Sequence, residues 1–244
     1  MTTKTIIEIS DLNKSFGSKV VLKDLKMNVY KGENVVILGK SGTGKSVLIK
    51  CIVQLINPES GSIKCLGREM NALTIDELNA MRTRIGFLFQ GAALYDSMTV
   101  KENLMFPILR NPFLSITEPL DEKIDEVLVS VGLPGIENKM PSELSGGMRK
   151  RVGLARSLMT DPEIILYDEP TTGLDPATSR EISELILDIQ KQRQATAIII
   201  THDLLCARLT SNRILMLNEG RFSHEGTYNE LNTTNDPWLN QFFH

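Results

Sequence analysis

Cysteine is scarce in this chain, and the placement of its cysteines argues against two kinds of site. Cys51, Cys65 and Cys206 are odd in number and widely spaced, which suggests neither a disulfide framework nor a metal site. Disulfides persist mainly in oxidising compartments, so this usage favours the reduced cytosol. We therefore expect a protein that is made and kept in the cytoplasm.

Long apolar runs and an excess of positive charge are also missing. No run approaches the ~18 apolar residues of a membrane span, and residues 1–5 lack the apolar core of a signal peptide. A net charge of -3 argues against a nucleic-acid surface and against a polybasic membrane anchor. We therefore expect no nucleic-acid partner, and any membrane attachment must come through another protein.

What is present is an ordinary globular composition with an α/β pattern. The 244 residues are enough for one large domain or two small ones. Short, partly alternating runs predict a small antiparallel sheet at residues 6–9, 20–22 and 25–29. Later runs predict strands that alternate with helices, as in a mostly parallel sheet: residues 35–38, 61–66, 84–89, 164–167, 197–200 and 214–217. Residues 91–160 have helical periods interrupted by prolines, Pro107 the first of them, which predicts an inserted helical lobe.

A glycine-rich octet follows the apolar run at residues 35–38. It reads Gly39-Lys40-Ser41-Gly42-Thr43-Gly44-Lys45-Ser46 and opens an apolar-periodic segment, which is the strand, loop and helix context that a G-x-x-x-x-G-K-[ST] motif requires. Glycines let successive N–H groups point inward, and the helix start adds its positive dipole end, so the loop forms an anion nest. Lys45 would reach the β- and γ-phosphates of a nucleotide, and the Ser46 hydroxyl would hold Mg²⁺. A simple Gly/Ser turn is the alternative.

Two carboxylates end the predicted strand at residues 164–167. Asp168 and Glu169 lie at its carboxyl end, where open α/β sheets bind ligands. Asp168 would hold Mg²⁺ through water, and Glu169 would polarise the water that attacks the γ-phosphate. Alone, the pair is equally compatible with a solvated strand end. Together with the glycine loop, it indicates a nucleotide hydrolase.

A second glycine pair suggests a second anion site. Leu144-Ser145-Gly146-Gly147-Met148 precedes a helix predicted over residues 149–159. Glycines ahead of a helix N-terminus, with the Ser145 hydroxyl, can bind an anion, although a capped helix start is the alternative. Two phosphate sites in one chain suggest that one of them serves a nucleotide held by another copy.

In this order, the motifs resemble those of the ATP-binding-cassette family of ATPases, from Ile6 to about Leu231. Phe16 matches the aromatic residue that stacks on adenine, the octet matches the Walker A loop, and Gln90 matches the Q-loop glutamine. The Ser145 segment matches the signature motif, Asp168 and Glu169 match the Walker B pair, and His202 matches the switch histidine. Plainer roles remain for three residues: Phe16 could be core, Gln90 could merely end a strand, and His202 could cap the helix near Asp203.

The resemblance implies a fold and a set of roles. The fold is a P-loop NTPase (RecA-like) core with a mostly parallel sheet, an antiparallel N-terminal part and an inserted helical signature lobe. Residues 1–244 would form one domain, with a core at 1–90 and 161–226, the lobe at 91–160 and a tail at 227–244. The cofactors would be ATP and Mg²⁺. Catalytic roles would fall to Lys45, Gln90, Glu169 and His202, metal binding to Ser46, Gln90 and Asp168, and ATP contacts to Phe16, residues 39–47 (ending at Val47), Ser145, Gly146 and Gly147.

Two departures from the family pattern point to a subgroup. Val47 replaces the Thr that commonly follows the magnesium serine, and Met148 replaces the Gln that most often ends the signature. With these residues the motifs look like those of the ATPases that energise MCE-type (Mla) lipid transporters, and the tail at 236–243 is similar too. Phospholipid transport is therefore the implied function. The alternatives are another cargo, such as an amino acid or small solute, and an ATP-gated docking switch without transport.

The resemblance also implies partners and a location. They are a second copy in a head-to-tail ATP-sandwich dimer, a separate membrane permease and an MCE-domain lipid-binding protein. The chain would lie on the cytoplasmic side of the inner membrane, bound through the permease. Side chains just after Gln90 would either dock the permease or fill the core of the lobe: Met98, Val100, Leu104, Met105 and Phe106. The tail from Trp238 to Phe243 would either clasp the partner copy or fold on its own domain.

Overall fold

The structure, a computed structural model, describes residues 4–114 and 119–243. Its first elements are β1 (Thr5–Phe16), β2 (Lys19–Tyr30), β3 (Asn34–Leu38), α1 (Lys45–Ile52), β4 (Ser60–Cys65), β5 (Arg68–Glu69), α2 (Ile75–Arg82), β6 (Ile85–Leu88), α3 (Val100–Leu109) and α4 (Leu120–Ser130). The following elements are α5 (Gly146–Leu158), β7 (Ile164–Asp168), α6 (Pro176–Arg193), β8 (Thr196–Thr201), α7 (Leu204–Thr210), β9 (Arg213–Asn218), β10 (Arg221–Gly226), α8 (Tyr228–Thr233) and α9 (Pro237–Phe243). Short 3₁₀ turns lie at Met70–Ala72 and Pro141–Glu143.

These elements divide between two compact units. Unit 1 contains the described residues up to Leu73 and those from Thr196 onward, and unit 2 is formed by Thr74–Ala195. Each unit contains parallel strands and helices, so the predicted α/β class is confirmed.

Unit 1 contains an antiparallel sheet and a mostly parallel group of strands. The antiparallel sheet has the order β2-β1-β4-β5, so an N-terminal antiparallel sheet is present as predicted. Two details differ: the runs at 20–22 and 25–29 form the single strand β2, and the run at 61–66 supplies β4 of this sheet rather than a strand of the parallel group. In the second group, β3 pairs in parallel with both β8 and β9, and β10 pairs antiparallel to β9. β10 was not predicted from the apolar pattern, because its side chains alternate between exposed and half-buried positions and include few apolar residues.

Unit 2 is built around the helix α5. β6 and β7 pair in parallel, and α5 contacts β6 as well as α3, α4 and α6. Every residue of β7 is buried, as is every residue of β3 and β8 in unit 1. Such continuous apolar strands are typical of parallel sheets that are covered on both faces.

Two predicted helix details were wrong. The signature glycines do not precede α5, which was predicted from residue 149 onward: Gly146 and Gly147 are its first two residues. The Ser145 hydroxyl accepts a hydrogen bond from Met148 N at 3.2 Å, and this cap outweighs the low helix propensity of glycine. Pro107 also does not interrupt the helical pattern, because α3 continues through it for two further residues.

The C-terminal helix α9 packs within unit 1, which is the local alternative for the tail. The Trp238 ring stacks on His224 of β10, with centroids 5.7 Å apart, and Phe243 meets Tyr228 of α8 edge-on at 5.4 Å. Leu239, also in α9, is buried. Over the described part of the chain, no helix combines the length and apolarity needed to cross a bilayer.

Candidate nucleotide site

The octet forms the connection between β3 and α1 in unit 1. Gly42 and Gly44 have φ angles of 80° and 102°, a backbone conformation that glycine adopts at little cost. Gly44 is the residue before α1, and Leu48 N donates to its carbonyl at 3.0 Å to begin the helix. The predicted strand, loop and helix are thus all present around the motif.

Two of the loop glycines are also required by close packing. A Cβ added at Gly39 would lie 2.6 Å from the Leu217 carbonyl oxygen of β9. A Cβ added at Gly44 would lie 2.8 Å from Val21 Cγ1 and 2.9 Å from the Val21 carbonyl oxygen of β2. Real Cβ atoms do not approach other atoms so closely, so the loop is held between β2 and β9 only because both residues are glycine.

Lys45 is buried and turns back onto its own loop. Its Nζ donates to the Gly39 carbonyl at 2.7 Å and to the Lys40 carbonyl at 3.1 Å. Thr43 Oγ1 also donates to the Lys40 carbonyl, at 2.9 Å. Ser46 follows in the first turn of α1. The ammonium therefore lies against the loop backbone at the start of a helix, where an anionic ligand can bind.

Phe16 and His202 belong to the same unit as this loop. Phe16 ends β1 and is 50% exposed, with Lys14 Nζ 5.0 Å from its ring centroid, so it is not a core residue. His202 is exposed and directly follows β8. The cap of α7 is Asp203, whose carboxylate accepts from the backbone N–H groups of Leu205 and Cys206. The capping role considered for His202 is therefore filled by its neighbour.

The Walker B carboxylates lie at the end of β7 in unit 2. Asp168 is the last residue of the strand, Glu169 follows it, and both are buried. Glu169 has φ 51°, which is unusual for a residue with a side chain, and such conformations cluster at functional sites. Thr172 Oγ1 donates to Glu169 Oε2 at 3.2 Å, so one carboxylate oxygen is oriented by a local hydrogen bond.

Gln90 lies in unit 2, two residues beyond the end of β6, with an exposed side chain. Its backbone carbonyl accepts a hydrogen bond from the ammonium of Lys150 in α5. Sequence patterns did not single out Lys150. Its only sequence signal was its place in the basic run 149–151, which resembles an exposed charged helix face.

The signature residues form the first turn of α5, also in unit 2. Ser145 caps the helix. A Cβ added at Gly147 would lie 2.6 Å from Thr178 Cγ2 of α6, whereas one at Gly146 would meet only an ordinary contact with Leu174 at 3.5 Å. The second glycine is therefore required by packing against the start of α6.

The predicted metal ligands are all oxygen donors. They are the Ser46 hydroxyl of unit 1 and, in unit 2, the Gln90 side-chain amide oxygen and the buried Asp168 carboxylate. Magnesium prefers such oxygen ligands and is usually bound by one or two carboxylates together with substrate phosphates. The donor chemistry therefore fits Mg²⁺.

The side chains after Gln90 divide between core and surface. Val100 and Leu104 are fully buried and belong to the core of unit 2. Met98, Met105 and Phe106 instead line a surface groove of about 240 Å³ together with Glu102, Leu109 and Arg110. An aromatic cavity of about 360 Å³ shares Phe106 with this groove, and its other aromatic side chains are Phe87, Phe89 and Tyr95.

A phosphate-binding loop in unit 1, with a buried carboxylate pair and a glycine-led helix in unit 2, defines the class of P-loop nucleotide-binding proteins. The protein family described as ABC transporter matches residues 22–172 of the chain. This match covers the loop, the signature and the Walker B pair. The chain belongs to the ABC transporter family.

Two relatives show how far the similarity extends. The chain is 42% identical over 236 residues to "Probable ribonucleotide transport ATP-binding protein mkl" of Mycobacterium tuberculosis, an alignment that covers 97% of this chain and 66% of that protein. It is 38% identical over 253 residues to "Protein TRIGALACTOSYLDIACYLGLYCEROL 3, chloroplastic" of Arabidopsis thaliana, covering 97% of this chain and 73% of that protein. The chain thus spans just under two thirds of the length of the mycobacterial protein.

The fold is shared with solved ATP-binding cassettes. One is a dimeric cassette in a post-hydrolysis state bound to ADP and Pi, to which this chain is 32% identical with a TM-score of 0.81. The match covers 91% of this chain and 99% of that cassette. The cassette fold predicted from the motifs is therefore confirmed.

Proposed function

We propose that the chain is the ATP-binding and ATP-hydrolysing subunit of a membrane transporter. It would act as a head-to-tail homodimer, in which each ATP contacts the Walker A loop of one copy and the signature helix of the other. The observation that carries the proposal is the loop at Gly39–Ser46, which joins a buried strand to a helix start and holds the buried Lys45 ammonium against its own carbonyls. Such a loop suits an anion such as a nucleotide phosphate. The likeness to a dimeric cassette bound to ADP and Pi supports the two-copy arrangement.

In this proposal, unit 1 positions the nucleotide. The half-exposed Phe16 ring stacks on adenine, because its face is available and a base can share it with the Lys14 ammonium. Lys45 and the loop amides bind the β- and γ-phosphates. Ser46, Gln90 and Asp168 would hold Mg²⁺, which would supply positive charge to the phosphates.

The hydrolytic step is assigned to Glu169 and His202. Glu169 acts as the general base for the attacking water, since its buried carboxylate is held by Thr172 and by an unusual backbone conformation. His202 contacts the transition state, since it is exposed and directly follows β8, at the carboxyl end of a buried strand. Ser145 and Gly147 bind the γ-phosphate of the nucleotide held by the other copy.

The test replaces the general base and a matched carboxylate. We expect Glu169→Gln to bind ATP with unchanged affinity and to accumulate as a dimer, with a turnover reduced on the order of 100-fold or more, because general-base catalysis contributes this much. Glu163→Gln is the control, since Glu163 precedes the opposite end of β7 and its carboxylate makes an exposed ion pair with Arg84. Near-normal turnover in Glu169→Gln would refute the assigned role, and no ATP binding by the wild type would refute the function.

A permease is proposed to dock on the groove of unit 2. The groove is lined by apolar side chains, such as Met105 and Leu109, and by the charged Glu102 and Arg110, which suits a short amphipathic helix. Methionine-rich surfaces adapt well to such helices. Docking at this surface would place the chain on the cytoplasmic side of the inner membrane, which it would reach only through the permease.

Phospholipid is the proposed cargo, handed on by an MCE-domain lipid-binding protein. The support is the subgroup likeness of the Walker A and signature motifs, together with 38% identity to a plant relative named after trigalactosyldiacylglycerol. The mycobacterial relative is named for ribonucleotide transport, which supports a small polar solute as the second candidate.

The cargo test isolates the complex from its native membrane at low detergent and analyses the proteins and lipids by mass spectrometry. We expect a permease, an MCE-domain protein and bound phospholipid, all lost in a Leu109→Glu variant that retains ATP binding. The exposed Leu55→Glu in unit 1 serves as the control, because it adds the same charge at an exposed leucine that does not line the groove. A permease with a solute-binding protein would contradict the lipid cargo, and ATP-dependent capture of a partner with no permease would favour the docking switch.

A further inference from the structure

Lys150 is a buried lysine with an unassigned role. It is the fifth residue of α5 and is only 6% exposed, although it lies between two arginines in the sequence. Burial lowers the pKa of its ammonium, while the negative charges of Asp168 and Glu169 act in the opposite direction. A lysine is seldom buried unless its ammonium is compensated by hydrogen bonds or opposite charge.

The Lys150 ammonium bridges two loops that carry proposed catalytic residues. It donates to the backbone carbonyl of Gln90 and, at 3.2 Å, to the backbone carbonyl of Glu169. The first contact spans 60 residues of sequence and the second 19. A single side chain from the signature helix therefore joins the Q-loop to the end of β7.

Two further residues on the same face of α5 contact the Q-loop segment, which we define as residues 90–93. A Cβ added at Gly153 would lie 2.9 Å from Ala92 Cβ, so helix and loop are in close contact there. Arg156 donates to the carbonyls of Ala92 and Ala93, both at 2.8 Å. Lys150, Gly153 and Arg156 are three residues apart, a spacing that places them along one side of a helix.

The segment that they hold has an unusual backbone. Ala92 and Ala93 have φ angles of 60° and 49°, a conformation that costs energy for residues other than glycine and persists only where surrounding contacts impose it. Glu169 has a positive φ as well. Arg156 thus holds the strained residues Ala92 and Ala93, and the Lys150 ammonium holds Gln90 just before them and the strained Glu169.

We propose that Lys150 is a positioning residue for ATP hydrolysis, which fixes the backbones of Gln90 and Glu169 relative to the signature helix. This inference rests on the proposed ATPase function. Lys150 does not contact the nucleotide in this scheme. It holds the metal-sensing glutamine and the general base at one mutual position, and misplacement by about 1 Å can cost on the order of 100-fold in rate.

The experiment compares three variants in the full chain. Lys150→Met keeps the length of the side chain but removes the donors, Lys150→Arg keeps a cationic donor, and Lys123→Met is the matched control. Lys123 is also a buried lysine of unit 2, but its ammonium pairs at 2.6 Å with the carboxylate of Asp161, an exposed residue that belongs to none of the nucleotide-binding motifs. The measurements are kcat and KM for ATP, equilibrium binding of a fluorescent ATP analogue and thermal unfolding.

We expect Lys150→Met to lower kcat at least about tenfold while analogue affinity stays within about threefold, the signature of an interaction that matters in the transition state. Lys150→Arg should recover part of the loss, and Lys123→Met should keep kcat within about twofold of the wild type. Equal kcat values in Lys150→Met and the wild type would overturn the proposal, as would an equal loss in Lys123→Met.

Amide hydrogen exchange separates this inference from the proposed function. In Lys150→Met, exchange should accelerate at residues 90–93 and 169–172 and stay unchanged in α3, whether or not ATP is hydrolysed. A wild type without ATPase activity would overturn the function while leaving this readout intact. If Lys150→Met does not fold, the same comparison is made between Lys150→Gln and Lys150→Arg, and equal kcat and equal exchange in these two would overturn the inference.

Discussion

The close contact between α5 and the Q-loop segment predicts a specific cost for a single methyl group. Gly153 lies inside α5, and an alanine there would place its Cβ 2.9 Å from Ala92 Cβ, 3.0 Å from Leu88 Cδ1 and 3.3 Å from Ala92 Cα. The leucine methyl can move aside, but Ala92 cannot easily retreat, because its carbonyl is held by Arg156. Gly153→Ala therefore overpacks a backbone contact.

Two opposing effects determine the size of the change. Replacing glycine by alanine in a helix interior stabilises by about 1 kcal/mol, whereas overpacking a core contact costs about 1–3 kcal/mol. The balance is a net destabilisation of about 1 kcal/mol, which for a chain of this size lowers Tm by roughly 2–4 °C. Gly91→Ala is the control, because a Cβ there meets nothing within 4 Å and its φ is not in the left-handed region. Its Tm should be unchanged or slightly raised.

The assay is urea and thermal unfolding followed by circular dichroism, completed as a double-mutant cycle with Ala92→Gly. Ala92→Gly removes the Cβ that Gly153→Ala would strike, and it suits the φ of 60° at that position. We expect the double variant to recover stability, with a coupling energy of about 0.5–2 kcal/mol. A Gly153→Ala variant as stable as the wild type, or strictly additive effects in the cycle, would refute the close contact.

Three further predictions concern the pKa values of two buried cysteines, a buried tyrosine and an aspartate that caps a helix. Burial raises the pKa of the Cys51 thiol to about 11 and that of Cys65 to about 12, so Ellman's reagent at pH 8 should label neither until the chain is unfolded in guanidinium; rapid labelling of the native protein would contradict this. Burial also raises the pKa of Tyr167, so the stability that depends on its neutral form is complete below about pH 10 and declines as the pH rises further. Tyr167→Phe should lose less stability than the wild type between pH 9 and 11, and parallel Tm curves would contradict this. Hydrogen bonds from Thr178 lower the pKa of Asp175, the cap of α6, so its charge stabilises the fold above about pH 4, and this contribution is lost as the pH falls through the lowered value. The stability difference between the wild type and Asp175→Asn should therefore shrink from pH 6 to pH 3, and a difference independent of pH would contradict this.

Local patterns were sufficient to predict the phosphate loop and the buried strands. The loop depends on glycines, a lysine and a serine at fixed spacing between an apolar strand and a helix start, and all of these lie within about a dozen consecutive residues. The strands β3, β7 and β8 are buried throughout, so their composition alone identifies them. β10 was missed because an edge strand with exposed side chains leaves little apolar signal.

The start of α5 shows where local propensity misleads. Two consecutive glycines suggested a loop that ends before Arg149, but the Ser145 cap and the contact of Gly147 with Thr178 place both glycines in the helix. The second glycine is needed there because α6 comes too close for a side chain. That requirement depends on a residue more than thirty positions away, and a single sequence does not reveal it.

Lys150 was missed for the same reason, and its position explains why α5 matters to the site. From the sequence, it belongs to a basic run on an exposed helix face, yet its ammonium is enclosed by the carbonyls of Gln90 and Glu169. The helix that begins with the signature serine thus also holds the Q-loop and the end of β7. Because a helix moves nearly as a rigid rod, a shift at its N-terminus is transmitted to both carbonyls. Under the proposed function, contact of Ser145 with a nucleotide on another copy would therefore affect the position of Glu169, the proposed general base, so hydrolysis would depend on both copies.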